Sequence, residues 1–195
     1  MIQIAIPAWN AKGVIPPVDR QHPTGNARSP YAVQLAELVL RFGSTPERLA
    51  ILDGFLRYRG ELHKAGLVEG FQWLNGSFLE QIESLEQRSP NDLDVVSFVK
   101  YPSGLSQRDL QAGFPYLVPA DSHAQQMLKT TYRVDGYLVD LGMDPQRLVE
   151  RAAYWYGLWS HRRDETWKGY LAVDLTPAQD TAARSEWQQL SLQRL

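Results

Sequence analysis

The chain has 195 residues, 44% of them hydrophobic, with 20 basic against 22 acidic side chains and a formal net charge of −2. That is ample for one domain with its own core, and it offers no broad basic field for non-specific nucleic-acid binding. The absence of cysteine excludes disulfides, zinc thiolate sites and cysteine nucleophiles, and no apolar run of ~20 residues or basic-then-apolar leader is present, so a cytoplasmic protein with no membrane span is expected.

Residues 1–28 begin with a short apolar run, Ile2 to Pro7, and continue through Gly13, Pro16, Pro17, Pro23 and Gly25. That density of breakers predicts an irregular segment packed over the core. Four helices are then expected from one device, a capping residue before proline at the first helical position: Ser29-Pro30, Thr45-Pro46, Asp144-Pro145 and Thr176-Pro177. The second, from Pro46 to about Ala65, sets Leu49, Leu52, Phe55 and Leu56 on one stripe, and Gly66 closes it. A strand follows over Phe71–Asn75 and runs into Asn75-Gly76-Ser77-Phe78. Asn75-Gly76 also fits a tight hairpin, and Asn75-Gly76-Ser77 a glycosylation acceptor. Phe78, Ile82 and Leu85 recur at helical spacing up to Glu86, which favours a turn that opens a helix. In such a turn Gly76 lets backbone approach a phosphate, and the Ser77 hydroxyl and the first free amides donate to it.

Fifteen positions after Ser77 comes Asp92-Leu93-Asp94-Val95-Val96. Along a strand the period of two puts Asp92 and Asp94 on one face, while the apolar residues up to Val99 suit a strand buried on both faces except at its start. Charge there is costly unless paired or metal-bound. Two aligned carboxylates suit magnesium or manganese, which prefer oxygen ligands and leave positions for phosphate and water. Residues 101–128 are rich in turn formers, with a helix expected over Ser122–Leu128 and an insertion that serves as lid, acceptor wall or plain connection. His123 has no partner at metal spacing. The segment Tyr132–Asp140 predicts another strand, in which Asp135 and Asp140 have opposite parity. Asp135, beside Gly136 and inside the strand, is the chosen third carboxylate, since Asp140 meets the turn at Leu141-Gly142.

A helix is expected from Pro145 to about Trp167, with Leu148, Ala152, Tyr156, Trp159 and Arg163 as its core stripe. Arg162 and Arg163 are candidate phosphate ligands, weighed against ion pairs with Asp164 or Glu165. Lys168 is a further candidate at the mouth of a last strand, Tyr170 to Val173. Thr176-Pro177-Ala178-Gln179 has the form of a capping box opening a polar C-terminal tail, 176–195, suited to docking on a partner.

Gly76-Ser77 followed by Asp92-Leu93-Asp94 resembles the signature of the polymerase-β-type nucleotidyltransferases, especially the minimal bacterial ones of toxin-antitoxin and phage-defence operons. Leu74 to Val99, together with Tyr154-Trp155-Tyr156-Gly157-Leu158-Trp159-Ser160-His161-Arg162-Arg163-Asp164, is similar to bacterial proteins described only as nucleotidyltransferase-like. The resemblance implies an α+β fold with a small mixed sheet flanked by helices. It implies Asp92, Asp94 and Asp135 as catalytic metal ligands for Mg2+ or Mn2+. It also implies transfer of a nucleoside monophosphate from a triphosphate, ATP being the expected one, to a hydroxyl on a protein, a transfer RNA or a small molecule. Two other classes stay open: a catalytically idle nucleotide-binding or antitoxin-like protein, and a metal-dependent phosphohydrolase.

Overall fold

The computed structural model describes residues 5–119 and 121–193; the start of the apolar run, Ile2 to Ile4, lies outside the described residues. The architecture is α+β, a five-stranded mixed sheet with seven helices among the described residues. The strands are β1 (Tyr31–Val33), β2 (Gly70–Asn75), β3 (Leu93–Val99), β4 (Val134–Asp140) and β5 (Leu171–Asp174). They lie in the order β1-β5-β2-β3-β4. The outer pairs, β1 with β5 and β3 with β4, are parallel; β2 is antiparallel to both of its neighbours.

The helices are α1 (Leu35–Phe42), α2 (Pro46–Lys64), α3 (Ile82–Glu86), α4 (Gln107–Gly113), α5 (Ser122–Tyr132), α6 (Pro145–Trp159) and α7 (Ala178–Leu192). One face of the sheet is closed by α2 and α5, with α1 and α7 packed alongside. On that face Gln72 of β2 bonds Ser97 of β3 and accepts from Arg59 of α2. Gly136 of β4 sits beneath Leu128 of α5 and the Tyr58 hydroxyl of α2, which fill the space a Cβ would take. Gly136 therefore serves packing, and Asp135 points by alternation to the opposite face.

The opposite face carries Phe71, Trp73, Phe98 and Tyr170 at ring distances of 4.7–5.4 Å, with Phe71 stacked on Phe98 and Trp73 meeting Phe98 and Tyr170 edge to face. Helix α6 covers part of it through Trp155 on Tyr137 and Trp159 on Tyr170. The buried stripe of α6 is Trp155 and Trp159 with Leu148 alongside, whereas Tyr156 of the expected stripe is exposed.

Two of the four proline-marked starts hold in full. Thr45 accepts from the Arg48 amide at the start of α2, and Asp144 accepts from Gln146 and Arg147 at the start of α6. Ser29-Pro30 instead leads into β1. The Ser29 hydroxyl accepts from the Tyr170 amide, so it fastens a strand rather than capping a helix. Thr176 does not cap α7: its hydroxyl turns back to Asp174, and Gln179, the expected capping-box partner, accepts from the Leu35 amide at the start of α1. Helix α6 stops at Trp159, ahead of Arg162 and Arg163. Residues Phe78–Glu86 are a 3-10 turn and a separate short helix, broken at Glu80. The expected strand from Tyr132 begins only at Val134, since Tyr132 ends α5 and Arg133 takes the left-handed cap conformation.

The N-terminal segment is irregular and packed over the core, with Val14 and Ile15 buried, Trp9 donating to the Leu79 carbonyl and the Gly169 amide donating to Ile15. The C-terminal helix is part of the same body. Ala183 is buried, Trp187 donates to the Leu49 carbonyl, and Asp180 pairs with buried Arg59. No helix among the described residues is long and apolar enough to cross a membrane.

Candidate metal centre

The site forms where three strands end together. In the parallel β3–β4 register Asp94 stands opposite Asp135, and in the antiparallel β2–β3 register it stands opposite Asn75. Asp92 precedes β3 by one residue and shares the parity of Asp94. One oxygen from each of Asp92, Asp94 and Asp135 lies within 4.8 Å of the others. Asp140 is at the far end of β4, opposite Val99, and accepts from the Gly142 amide in the next turn. Parity and turn position thus separate the two aspartates as expected.

Burial, then the charges of Asp92 and Asp135, pushes the Asp94 carboxyl up to about 6, despite the opposing pull of Lys168 and Lys129. Asp94 has no ion pair among the described residues. Lys129 stands at the other two carboxylates, its Nζ 2.7 Å from Asp135 and 3.4 Å from Asp92. Gln125, one turn earlier on α5, donates to both Asp135 and the Gly136 carbonyl.

The turn after β2 fits tightly against this cluster. Gly76 has φ +90°, and a Cβ there would come 2.7 Å from Asp94 Oδ2. Only glycine meets both conditions without displacing the carboxylate. Ser77–Leu79 form the 3-10 turn, in which the Leu79 and Glu80 amides are consumed by the Gly76 and Ser77 carbonyls. The donors it offers are accordingly the Ser77 and Phe78 amides and the Ser77 hydroxyl, fewer than a helix N-terminus would provide. The turn is clamped from beneath by Arg48 of α2, wholly buried, whose guanidinium donates to the Phe78 and Glu80 carbonyls at 2.6 and 2.7 Å and to both oxygens of Glu83.

Of the three candidate phosphate cations, two are engaged by carboxylates. Lys168 donates to Glu80 at 2.6 Å in a buried pair. Arg162 donates to Glu86 at 2.7 Å and lies 3.4 Å from Glu80. Both lie in the loop between α6 and β5, and Lys168 is near enough to Asp94 to act on its charge. Arg163 is exposed.

Sequence reasoning missed Lys129, Gln125, Asn75 and Arg48. For the first two a signal existed: residues four apart share a helical face, and α5 feeds directly into the strand carrying Asp135. Ending the expected helix at Leu128 hid it.

The residues present fit a hard divalent cation. Three carboxylates facing one ammonium leave net negative charge, and Asn75 Oδ1 is buried with no partner beside Asp94. Oxygen-only donors without histidine or cysteine suit magnesium or manganese over zinc. Lys129 already holds a positive charge where such an ion would sit.

No curated protein and no solved structure matches the chain. Residues 7–174, which span every strand and the whole carboxylate cluster, match the profile described as a family of unknown function (DUF6932), and the chain belongs to that family.

Proposed function

We propose that the protein is a metal-dependent nucleotidyltransferase, moving a nucleoside monophosphate from a triphosphate such as ATP to a hydroxyl acceptor. The observation that carries this reading is the convergence of Asp92, Asp94 and Asp135 within 4.8 Å, against a glycine turn whose missing side chain abuts Asp94. Order along the chain supports it too. Helix, strand, Gly-Ser turn, helix and strand follow in the sequence that the nucleotidyltransferase-like core requires.

Asp92, Asp94 and Asp135 would hold magnesium or manganese, whose chemistry is to neutralise phosphate charge and to lower the pKa of the acceptor hydroxyl. Ser77 and the Ser77 and Phe78 amides donate to the triphosphate tail, on the β2 side of the cluster. Asp135, on the β4 side, receives the acceptor's proton. The acceptor oxygen bonds to the α-phosphorus as the bond to the bridging oxygen breaks, and pyrophosphate leaves. Gln125 fixes Asp135 in place meanwhile. Removing a proton acceptor of this kind typically costs ~10²-fold or more.

A second reading has one observation behind it. The ammonium of Lys129 stands among the carboxylates, which suits a protein that binds nucleotide or a partner without transfer, as an antitoxin-like subunit would. Incubation with each α-labelled triphosphate, magnesium or manganese, and lysate from the native host separates the two. Label incorporated by the wild type and not by an Asp92→Asn/Asp94→Asn variant supports transfer. Nucleotide binding without pyrophosphate release supports the second reading instead.

A further inference from the structure

On the open face of β4 the alternation runs Asp135, Tyr137, Val139. Val139 is 4% exposed, and Val96, the register partner of Tyr137 on β3, is fully buried. Tyr137 is 38% exposed, so a large ring stands uncovered between buried neighbours, two residues from a carboxylate of the cluster. The ring is braced from one side: its centroid is 4.8 Å from that of Trp155, tilted by 50° to it, and Trp155 is in turn 5.2 Å from Trp159. Both tryptophans are buried.

A partly exposed ring braced by a buried neighbour is a preorganised surface, and little rotamer entropy remains to be lost when another ring lies on it. Bases stack on such rings because every base has a π face. Gly76 and Ser77 border the cluster from β2 and Tyr137 borders it from β4, so phosphate donors and aromatic surface lie on opposite sides of the carboxylates. We propose that Tyr137, backed by Trp155, is the stacking shelf for a nucleobase bound at the carboxylate cluster. The proposal rests on the nucleotidyltransferase reading and adds to it where the base lies. The base comes either from the donor triphosphate or from the terminal nucleotide of a single-stranded RNA acceptor.

Three probes separate these sources in calorimetric titrations with magnesium: a non-hydrolysable ATP analogue, inorganic tripolyphosphate, and a short single-stranded RNA. For Tyr137→Ala the base-bearing ligand is expected to weaken roughly tenfold, within the ~5- to 150-fold that one base stack contributes. Tripolyphosphate should bind as it does to the wild type, and Tyr137→Phe should restore the base-bearing ligand. A loss on the ATP analogue assigns the shelf to the donor, and a loss confined to RNA assigns it to the acceptor. Should Tyr137→Ala fail to fold, Tyr137→Leu, which keeps an apolar contact with Trp155, serves in its place. Unchanged affinity for both base-bearing ligands, or an equal loss for tripolyphosphate, overturns the shelf and leaves the nucleotidyltransferase reading intact. No binding of any probe by the wild type removes both.

Discussion

Two clusters of charge lie at the same end of the sheet, and they are built to opposite rules. Around the turn after β2, Arg48 meets Glu83 and two carbonyls, while Lys168 and Arg162 share Glu80. Cations and acceptors are matched there, as buried charge requires. Across β3, three carboxylates face one lysine, and burial, then the charges of Asp92 and Asp135, raises Asp94 to about 6. Matched charge fixes the shape of the turn. Unmatched charge, held open by that shape, is what a cation would complete.

The largest expected effect tests the unmatched side. Asp92→Asn or Asp94→Asn should reduce label transfer by ~10²-fold or more, with no fall in the thermal midpoint. If either variant melts early while retaining activity, the pair is structural and the contrast fails.

On the matched side, Arg48→Met should leave Glu83 and two buried carbonyls without their donor. Its cost should be about 3–5 kcal/mol in urea unfolding. A loss below 1 kcal/mol, on the order of an exposed pair, would place the clamp among ordinary surface interactions.

Protonation gives a smaller and more specific difference. The Asp94 carboxyl is raised from 3.8 to about 6 in the folded state, so its contribution to stability is present below the lower value and lost as pH rises through the upper one. The metal-free wild type should therefore lose stability relative to Asp94→Asn over that interval. The difference should reach about 3 kcal/mol at neutral pH. Thermal or urea unfolding of both proteins across the interval reads this directly, and parallel curves would show that Asp94 is not strained by its neighbours.

Smallest is the effect of the resident lysine. Lys129→Met removes the one ammonium that pairs with Asp92 and Asp135 and should tighten manganese binding by roughly tenfold, the equivalent of 1.4 kcal/mol. Weaker binding in that variant would make Lys129 a support of the site rather than a competitor for it.

What the sequence disclosed follows the range of the forces involved. Thr45-Pro46 and Asp144-Pro145 are local capping devices, and both open helices. Asp92, Asp94 and Asp135 were legible because strand alternation is local, and pairing β3 with β4 needed only the expectation of neighbouring strands. Ser29-Pro30 misled because the same serine hydroxyl is claimed by Tyr170, a residue far along the chain. Lys168 and Arg162 read as phosphate ligands because nothing near them in sequence announces Glu80 or Glu86 as their partners. The break at Glu80 follows the same pattern, since Arg48 draws the carbonyls of Phe78 and Glu80 to itself from another helix.

The central claim is that the three aspartates form one cation site. It is tested most directly by calorimetric titration of manganese into metal-free protein at neutral pH, for the wild type, Asp94→Asn and Asp135→Asn. The account predicts saturable binding by the wild type that is lost in both variants, each of which remains folded. No binding by the wild type, or undiminished binding by either variant, would contradict it.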